Sequence, residues 1–307
     1  MNTLTLVPKL TIFGALVASA AFVHFRGTVR HRFGRQVTDH STFTAPYNTL
    51  MYLFSAIPTT PLADLGRFPN LQILRDNWET IRDEAIGLRD EGELRASEKV
   101  NDLAFNSFFK YGWKRFYLKW YDDHLPSARA RCPKTIELVE RIPEIHAAMF
   151  AYLPPGGELR PHRDPFGGSL RYHLGLVTPN SDACRIHVDD QVYSWRDGEA
   201  VLFDETYIHS VRNDTDKGRV IFFCDVERPL TSRIVTAINR FMIRHVVKAS
   251  QTRNVEGEKV GALNRVFGVA YGASALTRRF KDSHYRLYYA LKYALIAAIL
   301  CAVFLAF

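Results

Sequence analysis

Cysteine pairs, internal repeats and low-complexity segments are all missing from this chain of 307 residues. Its four cysteines, Cys132, Cys184, Cys224 and Cys301, stand far apart and make no C-x-x-C pair. That spacing excludes a disulfide scaffold and a zinc ribbon, and it points to a reducing compartment. Charge is scarce relative to apolar content, 23% against 47%, which excludes a disordered chain. The length allows one large domain or two ordinary ones.

What is present is unevenly placed. The net charge is +8, but residues 1–45 carry +4, residues 46–230 carry −5 and residues 231–286 carry +8. Basic flanks suit nucleic acid, yet the segments outside them argue for a bilayer. Leu10 to Phe25 is apolar and uncharged, and it extends to Leu4 if Lys9 snorkels. Arg26, Arg30, Arg32 and Arg35 follow it. A cleaved signal peptide would carry its charge before the apolar run and a small-residue cleavage site after it. Here the charge comes after, so the segment is read as a retained anchor. At the other end, Leu287 to Phe307 holds one charge, Lys292, and follows Arg278, Arg279, Lys281 and Arg286. As a helix it would span roughly 30 Å, enough to cross a hydrocarbon core. A buried terminal helix is the alternative, but a chain ending in AVFLAF favours the membrane. Positive flanks mark the cytoplasmic side, which places residues 26–286 in the cytoplasm with their basic edges at anionic headgroups.

Between the ends, Leu71, Leu74, Trp78, Ile81, Ala85 and Leu88 recur at helical spacing and predict one amphipathic helix. A second is predicted over Lys134 to Arg141. The aromatic stretch FNSFFKYGWKRFYLKWY, residues 105–121, reads first as core packing in paired strands and second as a lipid- or substrate-facing wall. From Ala147 to Val226, short β-prone runs alternate with Gly, Pro, Asn and Asp turns. Seven or eight strands of this kind predict a sandwich or small barrel. After Pro229 the chain turns helical and basic.

The residues that carry chemistry lie in this β region. In SLRYHLGLV, period two sets Leu170, Tyr172, Leu174 and Leu176 on one face and Arg171 with His173 on the other. A barrel interior holding that second face wants an anion. In His162-Arg163-Asp164, the first and third side chains point the same way, so both can reach one metal ion. His209 is the best third ligand. Two imidazoles and one carboxylate on one face form the triad of non-haem Fe(II) oxygenases, leaving positions for a co-substrate and O₂. Arg219, ten residues beyond His209, can bind a carboxylate bidentately. Each residue alone has a bland reading as a loop, turn or core residue; the ordered set favours the iron site.

PPGGELRPHRDPFGGSLRYHLGL and WRDGEAVLFDETYIHSVRNDTDKGRVIFFCDVERP resemble the aspartyl/asparaginyl β-hydroxylase family of 2-oxoglutarate-dependent dioxygenases. The chain is most similar to the bacterial members that hydroxylate a secondary acyl chain of lipid A at C2. That similarity extends through HSTFTAPYNTLMYLFS and CPKT, over roughly residues 20–232. The resemblance implies an α+β chain with a double-stranded β-helix (jelly-roll, cupin-like) core. It also implies that His162 and His209 bind Fe(II) and that Arg219 pairs with the distal carboxylate of 2-oxoglutarate. Arg171 and His173 match positions near that co-substrate. Animal members have glycine where this chain has Asp164, so the full triad is a departure from them. Asp204 and Glu205 read as supporting or turn residues.

The resulting division is an N-terminal anchor at 1–25, a basic, helical and aromatic region at 26–145, and the catalytic core at 146–230. A basic membrane-proximal region at 231–286 and a C-terminal membrane segment at 287–307 complete it. The expected function is hydroxylation of lipid A at the cytoplasmic face of a bacterial inner membrane, releasing succinate and CO₂, with the bilayer and not nucleic acid as partner. Hydroxylation of ornithine lipids, hydroxylation of Asp, Asn or Arg in a protein, and a non-catalytic membrane scaffold are the alternatives.

Overall fold

The structure is a computed structural model that describes residues 3–95, 102, 103, 105, 108–121 and 123–306; Asn106, Ser107 and Phe307 of the segments above lie outside these. Three helices lead in: α1 (Thr3–Phe25), α2 (Phe33–Thr38) and α3 (His40–Leu53). Four more precede the barrel: α4 (Gln72–Asp76), α5 (Trp78–Asp90), α6 (Pro126–Arg131) and α7 (Pro133–Glu140). Three follow it: α8 (Arg233–Met242), α9 (Ala262–Ser283) and α10 (Tyr285–Ala306). The short strands β1 (Leu62–Ala63), β2 (Lys114–Trp120) and β3 (Asp123–His124) come before the barrel proper. Its eight strands are β4 (Ile145–Leu153), β5 (Glu158–His162), β6 (Ser169–Val177), β7 (Cys184–Val188), β8 (Gln191–Ser194), β9 (Ala200–Phe203), β10 (His209–Asn213) and β11 (Arg219–Glu227).

Two antiparallel sheets result, one ordered β1-β9-β6-β11-β4-β2-β3 and the other β5-β10-β7-β8. Of the eight barrel strands, the first, eighth, third and sixth share the larger sheet. The second, seventh, fourth and fifth share the smaller. That winding is a double-stranded β-helix, the small barrel among the sequence's two expectations.

The central strands β6 and β11 are buried on both faces, only Val177 and Glu227 at their ends being partly exposed. Helix α5 packs on β6 with Ile81, Ala85 and Leu88 buried. Burying Ile81 and Leu88 stabilises the fold by about 1.5–3 kcal/mol each. Gly175 in β6 sits where the chain crosses closest, since a Cβ there would collide with the Arg196 carbonyl oxygen. The predicted helix over residues 71–88 is two helices, broken at Asn77. The Asn77 side-chain amide donates to the Ile73 carbonyl at 2.8 Å, competing with the backbone ladder. The helix predicted at Lys134 to Arg141 is α7. In the aromatic stretch, Phe116, Tyr117, Leu118 and Trp120 of β2 are core, as the first of its two readings has it.

The last turns of α1 pack on α3, where Val23 joins Ala45, Met51, Tyr52 and Val235 of α8 in a small second core. Farther back, Leu10, Ile12, Phe13, Leu16 and Val17 are exposed. Among the described residues, Pro8–Phe25 is the one stretch long and apolar enough to cross a membrane. The expected C-terminal segment is helical throughout α10.

Candidate metal centre

His162 ends β5 and His209 begins β10, and the two are register partners across the smaller sheet. Their ring centroids lie 4.3 Å apart. Beyond β5 the chain is pinned by a hydrogen bond from the Asp164 backbone N–H to the Glu205 carbonyl, 2.9 Å. This turns the Asp164 carboxylate to within 3.6 Å of His162 Nε2. One donor atom from each of His162, Asp164 and His209 lies within 4.8 Å of the others.

Hydrogen bonding sets the tautomers. His162 Nδ1 donates to the Arg160 carbonyl at 2.7 Å, and His209 Nδ1 donates to the Tyr207 carbonyl at 3.1 Å. Both Nε2 lone pairs are thereby left for a metal. Burial and the neighbouring His162 push His209 down to about 3, so it stays neutral. Burial acts to raise Asp164, but Arg171 and the two imidazoles hold it below the ordinary carboxylate range. The donor set suits a divalent ion with open coordination positions.

Two cations project into the interior, and they differ. Arg171 pairs with Asp164 and Glu205, and its Nε lies 3.0 Å from Asp225 Oδ1. Its guanidinium rests 4.2 Å over the Phe223 ring. The anion that this strand face calls for is, at Arg171, supplied by the chain itself. Arg219 is fully buried, and none of its three side-chain nitrogens has a hydrogen-bond partner. It lies flat over Trp195, 4.0 Å from the ring centroid. Burial without a carboxylate beside it pushes it down to about 10, still cationic at neutral pH. Both ring nitrogens of His173 and the indole N–H of Trp195 are likewise unpartnered. Burial, then Arg219 and Arg171, keep His173 neutral. Buried polar atoms are normally satisfied, so a cluster of this kind is built to receive an anion with two oxygens.

The rear of the site was not legible in the sequence. Arg163, between the two ligands of its strand, points away from them and is buried. Its Nη1 donates to the Val23 carbonyl of α1 at 3.0 Å and to Gln36 Oε1 at 3.3 Å. Arg26 is not at a headgroup position as expected. Its side chain is 7% exposed, bonded to Asp204 at 2.5 Å and Thr206 at 2.7 Å, and held between the Tyr52 and Tyr207 rings. Asp204 also binds Arg228 at 2.7 Å, which makes it the hub of the loop before His209. From the same aromatic stretch, Phe108 packs 5.0 Å from the His162 ring. Phe203 lies between His209 and His173, 5.7 and 5.0 Å from them. Neither Phe108 nor Trp195 carries a pattern that separates it from an ordinary core aromatic.

Comparison with known proteins agrees with this arrangement. An ornithine lipid ester-linked acyl 2-hydroxylase of Rhizobium tropici is 34% identical over 58% of this chain and 64% of its own length. The human aspartyl/asparaginyl beta-hydroxylase is 30% identical over 51% of this chain and 21% of its own length. This chain thus spans less than two thirds of either relative. Among solved structures, a Pseudomonas putida prolyl-4-hydroxylase aligns with a TM-score of 0.33 at 18% identity, covering 50% of this chain and 87% of that one. At that distance the strand order, not this likeness, defines the fold. Residues 75–229, half of the chain and the whole of the barrel with His162, Asp164 and His209, match the aspartyl/asparaginyl beta-hydroxylase family, and the chain belongs to it.

Proposed function

We propose that this chain hydroxylates a fatty acyl chain of a membrane lipid at C2, using Fe(II), 2-oxoglutarate and O₂. The observation that carries the chemistry is Arg219, a buried and partnerless guanidinium in a barrel that also brings His162, Asp164 and His209 together. His162, Asp164 and His209 would hold the iron, and Arg219 would pair with the distal carboxylate of 2-oxoglutarate beside His173. When bound, iron with 2-oxoglutarate and O₂ supplies the oxidising power to convert C–H to C–OH, with succinate and CO₂ as co-products. The chain's own residues do the rest. Arg171 holds the Asp164 carboxylate, the two backbone carbonyls fix the imidazoles, and Phe108 and Phe203 shield the ligands from water.

The lipid is supported by the name of the Rhizobium tropici relative and by the exposed apolar surface of α1. Arg30, Arg32 and Arg35 after α1 support an inner-membrane anchor with the barrel on the cytoplasmic side. The acceptor is the secondary acyl chain of lipid A or the ester-linked chain of an ornithine lipid; both offer a C–H beside an acyl carbonyl. Hydroxylation of an acidic residue in a protein is disfavoured by Arg171, whose charge is already matched by three carboxylates.

Mass spectrometry of lipids from cells lacking the protein, complemented with wild type or His209→Ala, tests the proposal. One oxygen added on an acyl chain by wild type alone supports it, and fragmentation assigns the carbon and separates lipid A from ornithine lipid. Unchanged lipids despite expression would sink the lipid reading. Absence of 2-oxoglutarate turnover with iron bound would sink the enzyme reading and leave a scaffold.

A further inference from the structure

Helix α8 is apolar on two opposite faces. Val235, Asn239 and Ile243 are buried against the barrel and α3. This seat is tight: Asn239 donates to the Gly168 carbonyl at 3.0 Å and accepts from Tyr47 at 2.6 Å, and Gly168 has no room for a Cβ. On the outer face, Ile234, Ile238 and Phe241 recur at spacings of four and three and are 75%, 40% and 60% exposed. The patch continues onto Leu53 and Phe54 at the end of α3, 71% and 37% exposed, because Thr231 N–H is bonded to the Phe54 carbonyl at 2.8 Å. Single exposed hydrophobics need no explanation, but a continuous row of five does.

Charge identifies what covers this row. Residues 233–248 contain Arg233, Arg240, Arg244 and Lys248 and no acidic residue. On a helical projection the three arginines fall along one flank of the apolar stripe. Arg240 is steadied there by Glu227 at 3.0 Å. An apolar stripe with a cationic edge is the pattern of a helix lying in a lipid interface. Position points the same way, since α1, with its exposed apolar length, packs on the same α3 that borders the patch.

We propose that α8 lies flat in the interface of an anionic bilayer, with Ile234, Ile238 and Phe241 among the acyl chains and Arg233 and Arg244 at the lipid phosphates. The barrel then has a second membrane contact besides α1, which fixes its rotation about α1. This surface is separate from the chemistry proposed above, and its test needs no turnover.

The test is spin-label depth measurement on the full chain. Ile238→Cys, Phe241→Cys and, on exposed α7 surface, Glu137→Cys are labelled in a Cys301→Ala background; Cys132, Cys184 and Cys224 are buried. The chains are reconstituted in phosphatidylethanolamine/phosphatidylglycerol vesicles and in phosphatidylcholine vesicles. In the anionic vesicles, labels at 238 and 241 should lose accessibility to a water-soluble nickel chelate and gain it to O₂, while 137 keeps the reverse. The burial should weaken in phosphatidylcholine. Chelate access at 238 and 241 in both lipids overturns the proposal. So does exclusion of both probes that persists in detergent, which would mean that this chain's own C-terminal helices cover the face. Dipolar broadening that disappears on dilution with unlabelled chain would assign the face to a second copy and overturn it as well.

Discussion

Arg219 lies four residues before Phe223 on β11, and Arg171 two before His173, the register partner of Phe223 on the adjacent strand β6, yet Arg171 is saturated and Arg219 bare. An uncompensated buried guanidinium costs several kcal/mol, so Arg219 destabilises the ligand-free protein and is relieved by a carboxylate. Arg219→Met should therefore raise the melting temperature of the metal- and co-substrate-free chain. It should also abolish the upward shift that 2-oxoglutarate gives to wild type, and raise the half-saturating 2-oxoglutarate concentration at least about tenfold, the equivalent of one lost charge-assisted bond. Calorimetry with and without 2-oxoglutarate reads both. A variant less stable without ligand, or still stabilised by 2-oxoglutarate, would mean that Arg219 serves the core and not the co-substrate. His162 and Asp164 were legible in the sequence because side chains two apart on an extended segment share a face, and His209 and Arg219 because their order matches the family's. Which of the two arginines is left free was not, since it depends on Asp225 and Glu205 arriving from other strands.

At the scale of elements, the ligand strand is fastened to α1. Arg163 donates into the carboxyl end of α1 and to Gln36 of α2; Arg35 donates to the Pro161 carbonyl at 3.0 Å, and Asn48 of α3 to the Pro165 carbonyl at 3.1 Å. Truncating Arg163 removes two bonds from a buried charged group, so Arg163→Ala should lower stability by about 2–3 kcal/mol. It should also weaken metal binding about tenfold, because it loosens the backbone between two ligands. Arg163→Lys should recover part of both. Competition with a coloured chelator measures the affinity, and an unchanged affinity would leave Arg163 a purely structural residue. Sequence patterning located α7 and the barrel strands other than β5, which lies in a Gly- and Pro-rich stretch. It ran α4 and α5 together, because periodicity does not register one side-chain amide bonding back to a carbonyl.

Across the whole molecule, the segment between α1 and the barrel acts as a strap. The backbone N–H groups of Thr28 and Val29 donate to Asp189 at 2.9 and 2.7 Å, and His31 is buried beside Asp39. Burial first, then Arg35, push His31 down to about 4, with Asp39 opposing and Arg163 and His40 adding to the depression. Between pH 4 and 6.5 the unfolded chain therefore carries a proton at His31 that the folded chain does not. Stability contributed by the neutral imidazole is complete above about 6.5 and is lost as the pH falls toward 4. Melting curves of detergent-solubilised chain should show this slope in wild type and a shallower one in His31→Gln. Identical slopes would remove His31 from the account.

Composition and local spacing by themselves determined the apolar N-terminal helix, the order of strands and helices, and the set of metal-ligating and anion-binding candidates. These follow from nearest-neighbour chemistry: side-chain alternation along a strand, helical periodicity, and charge beside an apolar run. Only the tertiary structure decided that Arg26 turns inward to Asp204, that Trp195 backs Arg219, and that Phe108 packs on His162. It also decided that α8 presents one apolar face inward and another outward. Each of these depends on which distant segments meet: among the described residues, Arg26, Arg171 and Arg228 are buried against carboxylates, while Arg219 is buried without one.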